Sequence, residues 1–77
     1  MKVHIHLKLY ATLSRFTPPL PDAYPVEKGS TIKLLLKQLK IPEKDAKLIF
    51  VNSVKGNPDS ILKGGERVGI FPPVGGG

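Results

Sequence analysis

An α+β domain is the fold this 77-residue sequence predicts: a mixed sheet of four to five strands with one main helix packed across it. Three observations carry that expectation. Residues 2–10 alternate between polar and apolar with a strict period of two, the signature of a half-buried strand. Ile32, Leu35, Leu36 and Leu39 recur at helical spacing behind Ser30. Residues 67–71 then return to a strand pattern. Strands, one helix and further strands in so short a chain leave room for one sheet and one cover. A domain of this size buries only about 60% of the surface its unfolded chain exposes. It has one core, and no large catalytic cleft fits above it.

Each element follows in order. In the first strand Val3, Ile5, Leu7 and Leu9 point one way, and Lys2, His4, His6, Lys8 and Tyr10 the other. Ala11–Phe16 suits a short helical turn, stopped by Thr17-Pro18-Pro19. Four prolines between Pro18 and Pro25 make an ordered loop, because proline lacks the amide a helix interior needs. Tyr24–Glu27 reads as a second strand, placed at a sheet edge or a strand start by Pro25. Ser30 is the expected helix N-cap, with Lys33, Lys37 and Lys40 opposite the apolar stripe and Leu34 off it. Ile41-Pro42 is expected to end the helix. Lys47–Val51 is a third strand, and Asn52–Pro58 is turn-rich around at most a short strand. Ser60–Leu62 suits a single turn. In the last strand Val68 and Ile70 face inward and Phe71 outward. The economical arrangement is a β-grasp with the first and last strands side by side in its centre.

Composition excludes several classes. Apolar residues are 40% and charged residues 23%, a globular balance. The chain has no cysteine, hence no disulfide framework, thiol nucleophile or cysteine metal site. That fits a reducing cytoplasm. The N-terminus lacks the apolar block of a secretory signal, and no apolar run could span a bilayer. A cytoplasmic location without a membrane partner is therefore the expectation. Twelve cations against six acids leave a net charge of +6. Ten of the twelve are lysines spread from Lys2 to Lys63, without an arginine-rich or aromatic-interleaved run. This reads as a solvated basic surface and argues against a nucleic-acid partner.

Conventional catalytic patterns are missing. His4 and His6 share a strand face, but no third ligand accompanies them, and a metal site needs three or four. Ser14, Ser30, Ser53 and Ser60 have no nucleophile-elbow motif around them. The acids are scattered beside turns. Gly64-Gly65 opens no phosphate-binding loop. No bound cofactor and no metal are expected.

The C-terminus differs. After the last strand come Pro72-Pro73-Val74-Gly75-Gly76-Gly77. Two prolines stop the strand and stiffen its exit. Three glycines make a thread with no Cβ, able to enter a slot that would exclude any side chain. Six residues from Pro72 reach roughly 20 Å when extended. The thread ends in an α-carboxylate, which becomes an acyl donor only after activation, for instance as an acyl-adenylate. The expected organisation is a folded domain over residues 1–71 and a flexible tail over 72–77.

These residues together resemble the MoaD/ThiS sulfur carriers, ubiquitin-like proteins of β-grasp fold. The resemblance runs through Gly29-Ser30-Thr31-Ile32 with Leu35-Leu36, Phe50-Val51-Asn52, Leu62-Lys63-Gly64-Gly65-Glu66-Arg67-Val68 and the Phe-Pro-Pro-Val-Gly-Gly-Gly end. It implies that Gly77 is adenylated by an ubiquitin-activating-like enzyme using ATP and then converted to a thiocarboxylate. The sulfur would pass to a large acceptor subunit or synthase. Phe71-Pro72-Pro73, the length, and Leu9-Tyr10-Ala11 through Phe16 are similar to the small subunit of molybdopterin synthase, implying a role in molybdenum cofactor synthesis. The Val74–Gly77 end also occurs among carriers serving thiazole synthase in thiamine synthesis, and the basic charge leaves tRNA thiolation open. Gly64 stands where the family often has Asp, and Ser53 where Gly often follows the Asn.

Under this reading the chain is a protein cosubstrate and not an enzyme by itself. A rival of another class is a basic β-grasp binding module with an inert tail; only the carrier needs the Gly77 carboxylate. Tyr10 and Phe71 lie on the sheet face away from the helix. As neighbours they would form an apolar partner-binding patch at the root of the tail, extended by Val54.

Overall fold

A computed structural model describes residues 1–73; Val74, Gly75, Gly76 and Gly77, and with them most of the expected tail, lie outside the described residues. Five strands form one mixed sheet: β1 (Lys2–Leu9), β2 (Tyr24–Glu27), β3 (Leu48–Val51), β4 (Val54–Lys55) and β5 (Arg67–Phe71), in the order β2-β1-β5-β3-β4. β1 and β5 pair in parallel at the centre, and the other neighbours are antiparallel. One helix, α1 (Ile32–Leu39), covers one face. This is the expected β-grasp. The alternation read in β1 is the alternation observed: Ile5, Leu7 and Leu9 are buried against α1, and their neighbours are exposed. Pro25 sits on β2, an edge strand, where a missing amide is tolerated. Ala11–Phe16 is a 3-10 helix carrying the buried Leu13.

The helix buries Ile32, Leu35, Leu36 and Leu39, as its spacing predicts, while Leu34 is half exposed. Each fully buried Leu or Ile contributes about 1.5–3 kcal/mol. Two details of its ends differ from expectation. The N-cap is Thr31, not Ser30: the Thr31 hydroxyl accepts from the Leu34 amide at 3.3 Å. Ser30 is committed elsewhere, its carbonyl accepting from the Leu62 amide at 2.8 Å. At the other end the helix stops at Lys40 (φ 63), one residue before Ile41-Pro42, in the left-handed geometry of a C-cap.

Residues 60–62 form no turn. Ile61 instead makes an isolated bridge to Thr31, and the turn lies at Asn57–Ser60. The exchange has a physical reason. The first amides of a helix lack intrahelical partners; here Ile32 donates to the Ser60 carbonyl at 3.0 Å and Lys33 to that of Pro58 at 2.9 Å. The carbonyls of the Asn57–Ser60 turn thus cover the first helical amides, and the chain then runs extended past Thr31.

Gly64 has φ +118, and a Cβ there would stand 3.0 Å from the Val3 Cβ. An Asp at this position, which the resemblance favours, would require β1 to move. Beside it, Glu66 is 8% exposed, and its carboxylate accepts from the amides of Lys63 at 2.7 Å and Gly64 at 2.8 Å. Burial acts to raise its pKa, but backbone donors at Lys63, Gly64 and Glu66 itself outweigh that, with Lys63 nearby, so the carboxyl sits below its ordinary value. The ionised carboxylate thus stabilises the turn. This contribution is complete above the unfolded-state value of about 4.3 and is lost as pH falls through the lower folded value. Glu66→Gln is therefore expected to cost about 1–3 kcal/mol at neutral pH in urea unfolding, with the gap to the native chain closing below about pH 4. An equal gap at both pH values would show that side-chain shape, not charge, holds the turn.

Candidate functional site

The central β1–β5 pair decides what stands beside the tail. In register Leu7 meets Val68 and Leu9 meets Ile70 on the core face, while His6 meets Arg67 and Lys8 meets Gly69 on the open face. The Tyr10 amide continues the ladder to the Ile70 carbonyl at 3.1 Å. Ala11 (φ 51) then turns the chain away. Tyr10 and Phe71 consequently share the face opposite α1, as read from the sequence. Their rings stack with centroids 4.1 Å apart and planes within 3°. Gly69 lies beside the stack, where a Cβ would be in ordinary contact, 3.4 Å from the Tyr10 ring.

β3 brings a third aromatic that the sequence reading did not select. Phe50 pairs with Gly69 and meets the Phe71 ring edge-on, centroids 5.9 Å apart at 84°. The signal lay in its parity: Ile49 alternates inward, so Leu48 and Phe50 face out. Pairs of this kind contribute roughly 0.5–1.5 kcal/mol beyond their burial. The two contacts tie the three rings into one platform. A shallow hollow of about 540 Å³ lies over it, walled by His6, Lys8, Asp22, Ser53 and Arg67.

Val54 is placed differently from expectation. Asn52 and Ser53 both have positive φ, making a two-residue hairpin that sets Val54 opposite Val51. Val51 in turn pairs with Val68, a core position. Val54 thus has the parity of the helix-covered face, although it is 68% exposed, and does not extend the aromatic patch. Lys55, opposite Phe50, takes the place on the open face.

At the tail root, Pro72 is buried and Pro73 exposed, so the packed domain continues one residue past β5. Both prolines line a smaller cleft with Thr12, Leu13, Arg15, Phe16 and Asp45. The remaining tail positions singled out by the sequence, Val74, Gly75, Gly76 and Gly77, lie outside the described residues.

Among the described residues, no three His, Asp or Glu side chains come together to hold a metal ion. No helix among them is long and apolar enough to cross a membrane. Glu66, the one buried acid, is fully engaged by its turn. The arrangement is an aromatic platform on the open sheet face, built on the strand that runs into Pro72-Pro73.

Comparison with known proteins places this geometry in context. Residues 7–77 match the model of the ThiS family. No curated protein matches the sequence. Among solved structures, the chain is similar to a Pyrococcus furiosus protein provisionally described as molybdopterin converting factor, subunit 1. Identity is 27% and the TM-score 0.65, over 94% of this chain and 99% of that one. It also shares its fold with the HVO 2177 protein of Haloferax volcanii, at 20% identity and TM-score 0.74, over 99% of this chain and 88% of that one.

Proposed function

The chain belongs to the ThiS family, small sulfur carrier proteins that are not themselves enzymes, and we propose that it carries sulfur as a thiocarboxylate on Gly77 for molybdopterin synthesis. A Gly77 carboxylate oxygen would attack the α-phosphate of ATP on an activating enzyme, releasing pyrophosphate. Sulfide would then attack the acyl-adenylate carbon and expel AMP, leaving the C-terminal thiocarboxylate. The thiocarboxylate sulfur would then bond to an electrophilic acceptor carbon, displacing its leaving group, while still attached to the Gly77 acyl carbon; hydrolysis of that acyl–sulfur bond would leave sulfur on the acceptor and return the carboxylate.

The observation that carries this reading is the position of Phe71. It is stacked on Tyr10 and immediately precedes Pro72-Pro73, so the docking surface and the tail have one root. A partner gripping the platform would hold the chain at the residue next to Pro72-Pro73. The molybdopterin branch is supported by the Phe71-Pro72-Pro73 junction and by the description of the Pyrococcus protein. Incubation with the adenylating enzyme of the same organism, ATP and a sulfide donor is expected to replace one terminal oxygen by sulfur in the intact mass. An unchanged mass beside an active enzyme control would refute the carrier role and favour a binding module with an inert tail.

One observation favours a second acceptor: the matching family model is that of ThiS. The thiocarboxylated chain should therefore be offered in parallel to the large subunit of molybdopterin synthase and to thiazole synthase. Turnover with the first alone is the expected result.

A further inference from the structure

We propose that the open sheet face receives a protein whose matching surface has an apolar centre rimmed by carboxylates. This names the chemistry of the partner in the carrier role above and rests on that reading.

The strand register builds the basic rim. One row across the sheet runs Lys8, Gly69, Phe50, Lys55, so a lysine stands at each end of the aromatic platform. The next row pairs His6 with Arg67. Among the described residues, neither ion pair involves Lys8, Lys55 or Arg67: both belong to Glu27, which meets the Met1 ammonium at 2.6 Å and Lys2 at 3.7 Å. Asp22 is the single acid walling the hollow. Cations thus outnumber the one acid around the apolar centre, and none of the three is ion-paired among the described residues, on a chain of net charge +6. A partner with an apolar rim would leave this field unanswered, and a basic one would be repelled.

The same observations favour protein over nucleic acid. Bases bind open sheets by stacking on free aromatic faces. Here Tyr10 and Phe71 stack face to face on each other, and Phe50 presents its ring against Phe71 edge-on. At 4.1 Å the two facing ring surfaces are closed to an inserted base. The rim cations remain exposed and hydrated, so their main effect is on the rate of encounter.

The test measures association of the full chain with the adenylating enzyme of the same organism by stopped-flow fluorescence. Raising salt from about 50 to 500 mM is expected to slow association about tenfold or more. Lys8→Glu combined with Arg67→Glu should slow it by about tenfold at low salt. Lys33→Glu combined with Lys37→Glu makes the same charge change on α1, on the opposite side of the sheet, and should slow it much less. Equal slowing by both double variants would assign the effect to net charge and overturn the rim. So would salt-insensitive association of a chain whose mass confirms thiocarboxylation, and in that case the carrier role would stand. Absence of thiocarboxylation at every salt concentration would overturn both. Bulk tRNA of the same organism is the second probe: binding tighter than to the enzyme, lost in the Lys8/Arg67 variant, would give the rim to nucleic acid instead.

Discussion

Appending one alanine after Gly77 is expected to abolish thiocarboxylate formation while leaving the melting temperature unchanged. The added residue moves the carboxylate about 3.3–3.6 Å farther along the thread. It also brings a Cβ into a channel that the Gly75-Gly76-Gly77 sequence suits only if the channel excludes side chains. A displacement of about 1 Å can cost a hundredfold in rate when reacting groups must be aligned, so a shift three times larger should leave no detectable product. The fold has no reason to respond, because β5 ends at Phe71. Intact mass and a thermal melt on the same sample read the two effects separately. Normal conversion on the added alanine would show that neither the length nor the bareness of the tail matters.

Phe71→Glu should produce the second large effect, loss of binding to the activating enzyme and to the acceptor. Large aromatics at the centre of an interface commonly carry 2 kcal/mol or more each, roughly 30-fold in affinity. A carboxylate in that place would also be pressed, unpaired, against the apolar centre proposed for the partner. The variant has a folding cost, because Phe71 stacks on Tyr10 and meets Phe50. Losing both contacts should cost about 1–3 kcal/mol, and each kcal/mol lowers the melting temperature by roughly 4–8 °C in a domain of this size. Tyr10→Ser shares the stack but leaves β5 untouched, so it separates docking from strand stability. Binding lost in both variants with the cooperative melt retained is the expected pattern. Unfolding of Phe71→Glu together with normal binding by Tyr10→Ser would make the pair a structural brace.

The elements governed by a local period were legible in the sequence. The alternation of β1 fixes which side chains meet α1, and parity alone puts Tyr10 and Phe71 on the open face. What escaped depends on partners distant along the chain. Thr31 displaces Ser30 as N-cap because residues 60–62 return to bridge it, a pairing that no window around the helix reveals. Glu66 reads as one more scattered acid until its turn folds the Lys63 and Gly64 amides onto the carboxylate. Val54 reads as part of the patch until Asn52-Ser53 folds as a two-residue turn, which returns its flanking residues, Val51 and Val54, to the same face. Phe50 was missed for a related reason. An apolar run such as Leu48–Val51 hides which of its members face out until the neighbouring strand supplies Gly69.

The central place of β5 has a consequence for how the protein is made. β5 lies between β1 and β3, so a nascent chain ending before residue 67 holds two separate fragments of sheet with no edge in common. Parallel pairing of β1 with β5 closes a loop of about sixty residues, an entropic step that comes late. Folding therefore waits until β5 has cleared the ribosome. A chain interrupted by premature termination or clipped within β5 has no alternative sheet to adopt and is left open to proteases. Quality control is thereby coupled to the tail: a chain that has folded is one whose synthesis has reached the residues that lead into Pro72.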